Sequence, residues 1–110
     1  MTKEEMDGLD VWLAENLMKW HRGMLWFALE EKEWWFDGNN QRQYSVARWD
    51  PTRNDSQAIE CAEKTGLPYH INKLSANNYF CEIGDSNSFA CESTLSLAVS
   101  LACKKAWEGK

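Results

Sequence analysis

"RWDPTRNDSQAIE", residues 48–60, joins two kinds of pattern, and the rest of the chain is arranged around that join. The Asp50 side chain can accept hydrogen bonds from the free N–H groups of a helix start, and Pro51 at a first helical position loses no bond it would have made. Asn54 is a second candidate cap. Ala58, Ile59 and Ala62 then form a short apolar stripe, and Gly66 followed by Pro68 ends it in the order expected of a helix terminus. The stretch predicts a strand-to-helix corner, with Trp49 either packed over it or turned toward a partner.

Toward the N-terminus, Trp34-Trp35-Phe36 and residues 41–47 flank Asp37-Gly38, which predicts two strands around a turn. Trp34 and Phe36 share one face, as do Tyr44 and Val46 on the return strand, and that face is expected to meet the core. Met24 to Leu29 is a six-residue apolar run that periodicity cannot assign to helix or strand. It is read as a strand after a break at Gly23, running into Glu30-Glu31-Lys32-Glu33. Thr2 and Glu5 have capping-box spacing, and Met6, Leu9, Leu13, Leu17 and Trp20 recur at three and four, predicting a helix over residues 3–19. Asp7, Asp10, Glu15 and Lys19 fall on its solvated side, and His21 is expected to cap its end.

Toward the C-terminus, residues 69–74 and 79–83 predict a hairpin around Ser75-Ala76-Asn77-Asn78, with Tyr79, Cys81 and Ile83 on one face. Gly84-Asp85-Ser86-Asn87 reads as a second turn, and residues 88–91 as a short edge strand. Ser93 is placed to cap a last helix striped by Leu95, Ala98, Val99, Ala102 and Ala106. The expected fold is therefore α+β: an antiparallel sheet of about four to five strands with helices packed on it, sandwich-like, in the order α-β-β-α-β-β-α. No repeat or linker divides the chain, so residues 1–110 are read as a single domain.

The 44% hydrophobic and 26% charged content is that of a folded globular chain. A net charge of −5 disfavours a general grip on nucleic acid and suits attraction to a basic surface instead. Met1 to Asp10 lacks a basic start followed by an apolar run, and nothing approaches the roughly 18 apolar residues of a membrane span, so a cytoplasmic location is expected. Cys61, Cys81, Cys91 and Cys103 would there be thiols. They lack CxxC spacing and are read first as small apolar residues; with His21 and His70 they leave zinc open, although no cofactor is expected.

Three segments, "LDVWLAENLMKWH", "WDPTRNDSQAIECAEK" and "SLAVSLACKKAW", resemble in order and spacing the small phage and prophage proteins of the phage ABA sandwich domain family. The resemblance covers most of the chain, and its most specific element is the Trp49, Pro51, Thr52 corner followed by Ala58 and Glu63. The chain departs from that pattern between Gly23 and Glu33 and in its four Cys. The resemblance implies a phage origin and an α/β sandwich; it implies no activity and carries over no catalytic residue.

No glycine-rich phosphate loop, zinc-protease motif, nucleophile elbow or calcium loop occurs. A thiol enzyme built from Cys81 or Cys91 with His70, or a single-strand binder stacking bases on Trp34, Trp35 and Tyr44, are the alternatives. The reading adopted is not an enzyme. It is a non-catalytic accessory protein that binds a host protein, an inhibitor of a defence nuclease of the CRISPR-effector kind or of its nucleic-acid channel. Glu30, Glu31, Glu33, Trp34, Trp35 and Trp49 are the expected partner-binding residues, with no direct nucleic-acid or membrane contact and no metal. Asp7, Asp10 and Glu15 would add to the acidic face.

Overall fold

The computed structural model describes residues 1–27, 29–84 and 88–109. Among them three α-helices and six strands follow one another as α-β-β-β-α-β-β-β-α, which is the expected α+β class. The strands form two separate three-stranded antiparallel sheets rather than one sheet of four to five.

Helix α1 (Lys3–Trp12) begins at a complete capping box: the Glu5 N–H donates to Thr2 Oγ1 at 3.1 Å and the Thr2 N–H to Glu5 Oε1 at 3.2 Å. It passes directly into a π-helical turn, Leu13–Leu17, in which the Met18 N–H reaches the Leu13 carbonyl at 2.9 Å. The helical run thus ends at Leu17 rather than at residue 19. Lys19 then takes a left-handed φ of 62°, and the Trp20 N–H closes back on the Ala14 carbonyl. Leu9, Leu13, Leu17 and Trp20 are buried as the periodicity predicts, Met6 is half-buried, and Ala14, outside that stripe, is buried as well. Asp10, assigned to the solvated side, is buried with them.

The first sheet is β1 (His21–Phe27), β2 (Glu30–Phe36) and β3 (Arg42–Ser45), in that order. Two expectations are corrected here. His21 opens a strand instead of capping a helix, and its ring lies over Phe36 with centroids 5.9 Å apart. Gly23 does not break the run: β1 passes through it, and a Cβ there would sit 2.9 Å from the Phe36 ring. The glycine makes room for an aromatic neighbour. A third correction concerns the core face, which is that of Trp35, 1% exposed, while Trp34 and Phe36 are half-buried on the other face.

A 3-10 turn, Val46–Arg48, leads through Trp49 and a turn closed by the Arg53 N–H on the Asp50 carbonyl at 2.9 Å. Helix α2 (Asp55–Lys64) follows. Its cap is Asn54, whose side chain accepts from the Gln57 N–H, so Asp50 and Pro51 belong to the turn before the helix and not to its first residues.

The second sheet is β4 (Tyr69–Ser75), β5 (Asn78–Ile83) and β6 (Phe89–Glu92). Ser75 pairs with Asn78, so Ala76-Asn77 alone connects the hairpin. Of the expected second turn, residues 85–87 lie outside the described residues. Helix α3 (Leu95–Glu108) is capped by Thr94, which accepts from the Leu97 N–H, and not by Ser93. It packs on β5, β6 and α2, so Cys81 and Ile83 point into a core completed by Cys61, Ala62, Val99, Ala102 and Cys103. Among the described residues no helix is long and apolar enough to cross a membrane.

Candidate functional site

The WDPT corner is where three helices are tied together. Asp10 of α1 accepts from the Thr52 N–H at 3.0 Å and from Thr52 Oγ1 at 3.1 Å, and its own carbonyl accepts from Trp49 Nε1 at 2.9 Å. Gln57 of α2 takes the Asp50 N–H and donates to the Arg48 carbonyl, and Ser96 of α3 donates to the Thr52 carbonyl at 2.9 Å. Pro51 and Thr52 are buried, and Trp49 is 4% exposed beneath Trp20 and Tyr44, with ring centroids 4.7 and 5.2 Å away. Every polar atom of the motif named here is used in holding the corner.

Beside the corner lies a pocket of about 250 Å³ walled by Trp35, Trp49, Asp7, Asp10, Asp50 and Arg53. Arg53 Nη2 bridges Asp7 and Asp10. Burial pushes the Asp10 carboxyl up, against the opposing pull of Thr52 and Arg53, whereas Arg53 and then Lys3 hold exposed Asp7 below its ordinary value. These charges answer one another, which removes Asp7 and Asp10 from the free acidic face expected of them.

The hairpin of β1 and β2 is built differently along its length. Cross-strand partners share a face, so Arg22 with Trp35, Met24 with Glu33 and Trp26 with Glu31 line one side. At the base Trp35 is covered by the Arg22 guanidinium, 5.3 Å from its ring centroid. Beyond it every β2 residue from Glu30 to Glu33 is exposed, and so are Met24 (56%), Trp26 (66%) and Leu29 (89%). Of the seven Trp, Trp26 is the one exposed; the other six are buried or half-buried. Salt bridges from Lys32 to Glu30 at 3.7 Å and from Arg22 to Glu33 at 4.0 Å lie in solvent, where such pairs are weak.

Leu29 combines two unfavourable features. It holds a φ of 64°, a conformation that disfavours a branched side chain and that Gly or Asn adopts cheaply, and it places that apolar side chain in water. Neither feature helps the fold. A bulky residue held in strained backbone at an exposed position costs stability and adds none.

Of the residues expected from sequence to bind a partner, Glu30, Glu31 and Glu33 therefore lie together on the exposed half of β2. Trp34 is half-buried with the Arg42 guanidinium 4.4 Å from its ring, and Trp35 and Trp49 are in the core. Sequence reasoning did not single out Met24, Trp26 or Leu29; the apolar run itself was the signal, but a buried strand has the same composition.

The other chemistry is not assembled. Among the described residues no group of three or more His, Cys, Asp or Glu is placed to hold a metal ion. Burial raises the Cys61 and Cys103 thiols and pushes Cys81 up to about 11, so all three stay protonated at neutral pH. Cys91 is exposed on β6, on the face of the second sheet turned away from Cys81. The base-stacking trio is divided, since Trp35 is buried and Tyr44 lies among Trp20 and Trp49. Compared with protein-family models, with curated proteins and with solved structures, the chain matches none.

Proposed function

We propose that this chain is a non-catalytic binding protein that docks the outer half of its β1–β2 hairpin on a basic, apolar-pocketed surface of a host protein. The observation that carries the reading is the company Leu29, Trp26 and Met24 keep: three exposed apolar side chains among Glu30, Glu31 and Glu33. Aromatic and apolar anchors supply the binding energy of protein interfaces, and a rim of like charge steers encounter with an oppositely charged partner. A surface that is both basic and pocketed is found where a protein handles nucleic acid. The partner class is accordingly a nucleic-acid-handling host protein, such as a defence nuclease of the CRISPR-effector kind, and the action is obstruction of its channel. The phage or prophage origin rests on the resemblance of the three segments quoted above.

The test begins with capture from a bacterial host lysate by the tagged chain, compared with Leu29→Gly and Trp26→Ala variants. A partner recovered near stoichiometry by the wild type and lost by both variants supports the reading, and association with it should slow in a Glu30→Lys, Glu31→Lys, Glu33→Lys triple variant and lose its salt dependence. The Leu29→Gly chain should meanwhile be as stable as the wild type or more so, because it relieves the left-handed leucine. Equal recovery by wild type and variants would remove the hairpin from the site.

A further inference from the structure

The two sheets have four edges among the described residues, and they are not alike. Strands β3 and β6 are four residues long, and β4 carries Lys73 and a register shift between Lys73 and Ser75. Short length, a lysine and an irregularity are the ordinary ways in which an edge is kept from pairing with another chain. Strand β1 has none of them: it runs seven residues in unbroken register with β2, contains no Pro or Lys, and carries exposed Met24 and Trp26.

An open edge calls for a strand, because its outward N–H and C=O groups are a row of donors and acceptors. Phe27 pairs with Glu30 across a two-residue connection, and a hairpin that closes on two residues does so with a hydrogen-bonded pair. Phe27, Leu25, Gly23 and His21 then direct their backbone groups to β2, and Trp26, Met24 and Arg22 direct theirs outward. An antiparallel copy of the same strand meets all three when Met24 lies opposite Met24 of the other copy. In that register Arg22 lies opposite Trp26, a cation within reach of an aromatic face, and Leu25 lies opposite Gly23, beside the Phe36 ring that fills the space the glycine leaves. About six backbone hydrogen bonds form across the seam.

Charge permits the contact. The acidic β2 strands of the two copies would be three strand spacings apart, about 14 Å, which exceeds the roughly 8 Å screening length at physiological ionic strength. We infer that β1 is a self-association edge, and that two chains join through it into one six-stranded antiparallel sheet. The seam is small, at the size where contacts between proteins are transient, so association is looked for from micromolar to millimolar chain concentration. The inference does not depend on the proposed host partner, although the two-fold arrangement would set two Met24–Trp26–Glu31–Glu33 faces side by side.

Sedimentation equilibrium of the purified full chain tests it. The expected result is a mass that climbs with concentration from 12.8 kDa toward twice that value. Met24→Lys, at an exposed position, should hold the chain at the protomer mass with an unchanged circular dichroism spectrum. In a Cys91→Ser background, mild oxidation should cross-link the Met24→Cys chain to its copy. The Trp26→Cys chain should stay uncross-linked, its two thiols being about 14 Å apart in this register, well beyond disulfide reach. Protomer mass for the wild type throughout the range, or cross-linking through Trp26→Cys as readily as through Met24→Cys, overturns the inference.

Discussion

The two sheets of this molecule have the same strand count, the same antiparallel order and similar hairpins, and they are used in opposite ways. In the second sheet, Cys81 and Ile83 of the central strand are fully buried against α3, and the exposed edge carries Lys73. In the first sheet the core is reached by Trp35 at the base of the hairpin and by Tyr44 of β3, and the outer half of the hairpin sets Met24, Trp26 and Leu29 in water. A single β-hairpin is marginally stable without a surface to pack on, so the outer half of the arm is held by its base and by β2–β1 pairing alone. The contrast separates residues that build the core from residues that the fold leaves in water.

Two tryptophans on one face of one hairpin make the sharpest test. Trp35→Ala should remove about 3–5 kcal/mol of stability, because it opens a cavity beside Trp49 and the Asp7–Arg53 pocket. Trp26→Ala should change stability by no more than about 0.5 kcal/mol, as truncations of exposed side chains do. Urea unfolding followed by circular dichroism reads both. A comparable loss for Trp26→Ala would mean that the outer arm is packed on something in solution, and would break the contrast.

The next effect in size falls at the corner. Asp10→Ala leaves the buried Thr52 N–H and hydroxyl without their acceptor and should destabilise by about 2–4 kcal/mol at neutral pH. The corresponding change at exposed Asp7 should be small. The two carboxylates also respond to pH with opposite sign. Asp10 has a folded pKa raised by burial above the ordinary 3.8, so the stability linked to it is full below that value and declines as pH rises through the folded pKa. Asp7 has a folded pKa lowered by Arg53 and Lys3, so its contribution is present above 3.8 and is lost as pH falls through the lower folded value. Urea midpoints measured against pH should therefore show the wild type losing ground to Asp10→Asn as pH rises from 3.8, and losing ground to Asp7→Asn as pH falls below it. Parallel curves would mean that Arg53 does not distinguish the two.

What could be read from sequence follows from how local each feature is. The capping box at Thr2 and Glu5, the stripe on α1 and the alternation of Tyr79, Cys81 and Ile83 involve residues a few positions apart, and they stand as expected. Trp34-Trp35-Phe36 offered no alternation, three aromatics in a row, so the core face depended on Trp20, Trp49 and the room left at Gly23 by a neighbouring strand. Asp10 looked like a surface residue because its partners, Thr52 and Arg53, are more than forty positions away. The candidate site is half legible: three glutamates in four residues announce a charged surface, but the run that exposes Met24 and Trp26 has the composition of a buried one. Its exposure follows from what the hairpin packs on, which is a property of the assembled molecule.

The smallest predicted effect bears on whether the arm and the helix-covered sheet unfold together. Thr94 caps α3 by accepting from the Leu97 N–H, and loss of an N-cap hydroxyl costs about 1 kcal/mol. Thr94→Ala should lower stability by that amount, and Ser93→Ala by less than a few tenths, since Ser93 stands outside the cap. Helix α3 covers β5 and β6, so amide exchange along β5 should quicken by about fivefold in Thr94→Ala, the factor that 1 kcal/mol implies. The amides of Leu25 and Lys32, which lie in the outer hairpin, should exchange at their wild-type rate, because their opening requires only that the arm come apart. If they quicken with β5, the arm is part of the same cooperative unit, and the exposed Met24, Trp26 and Leu29 have a share in holding the core after all.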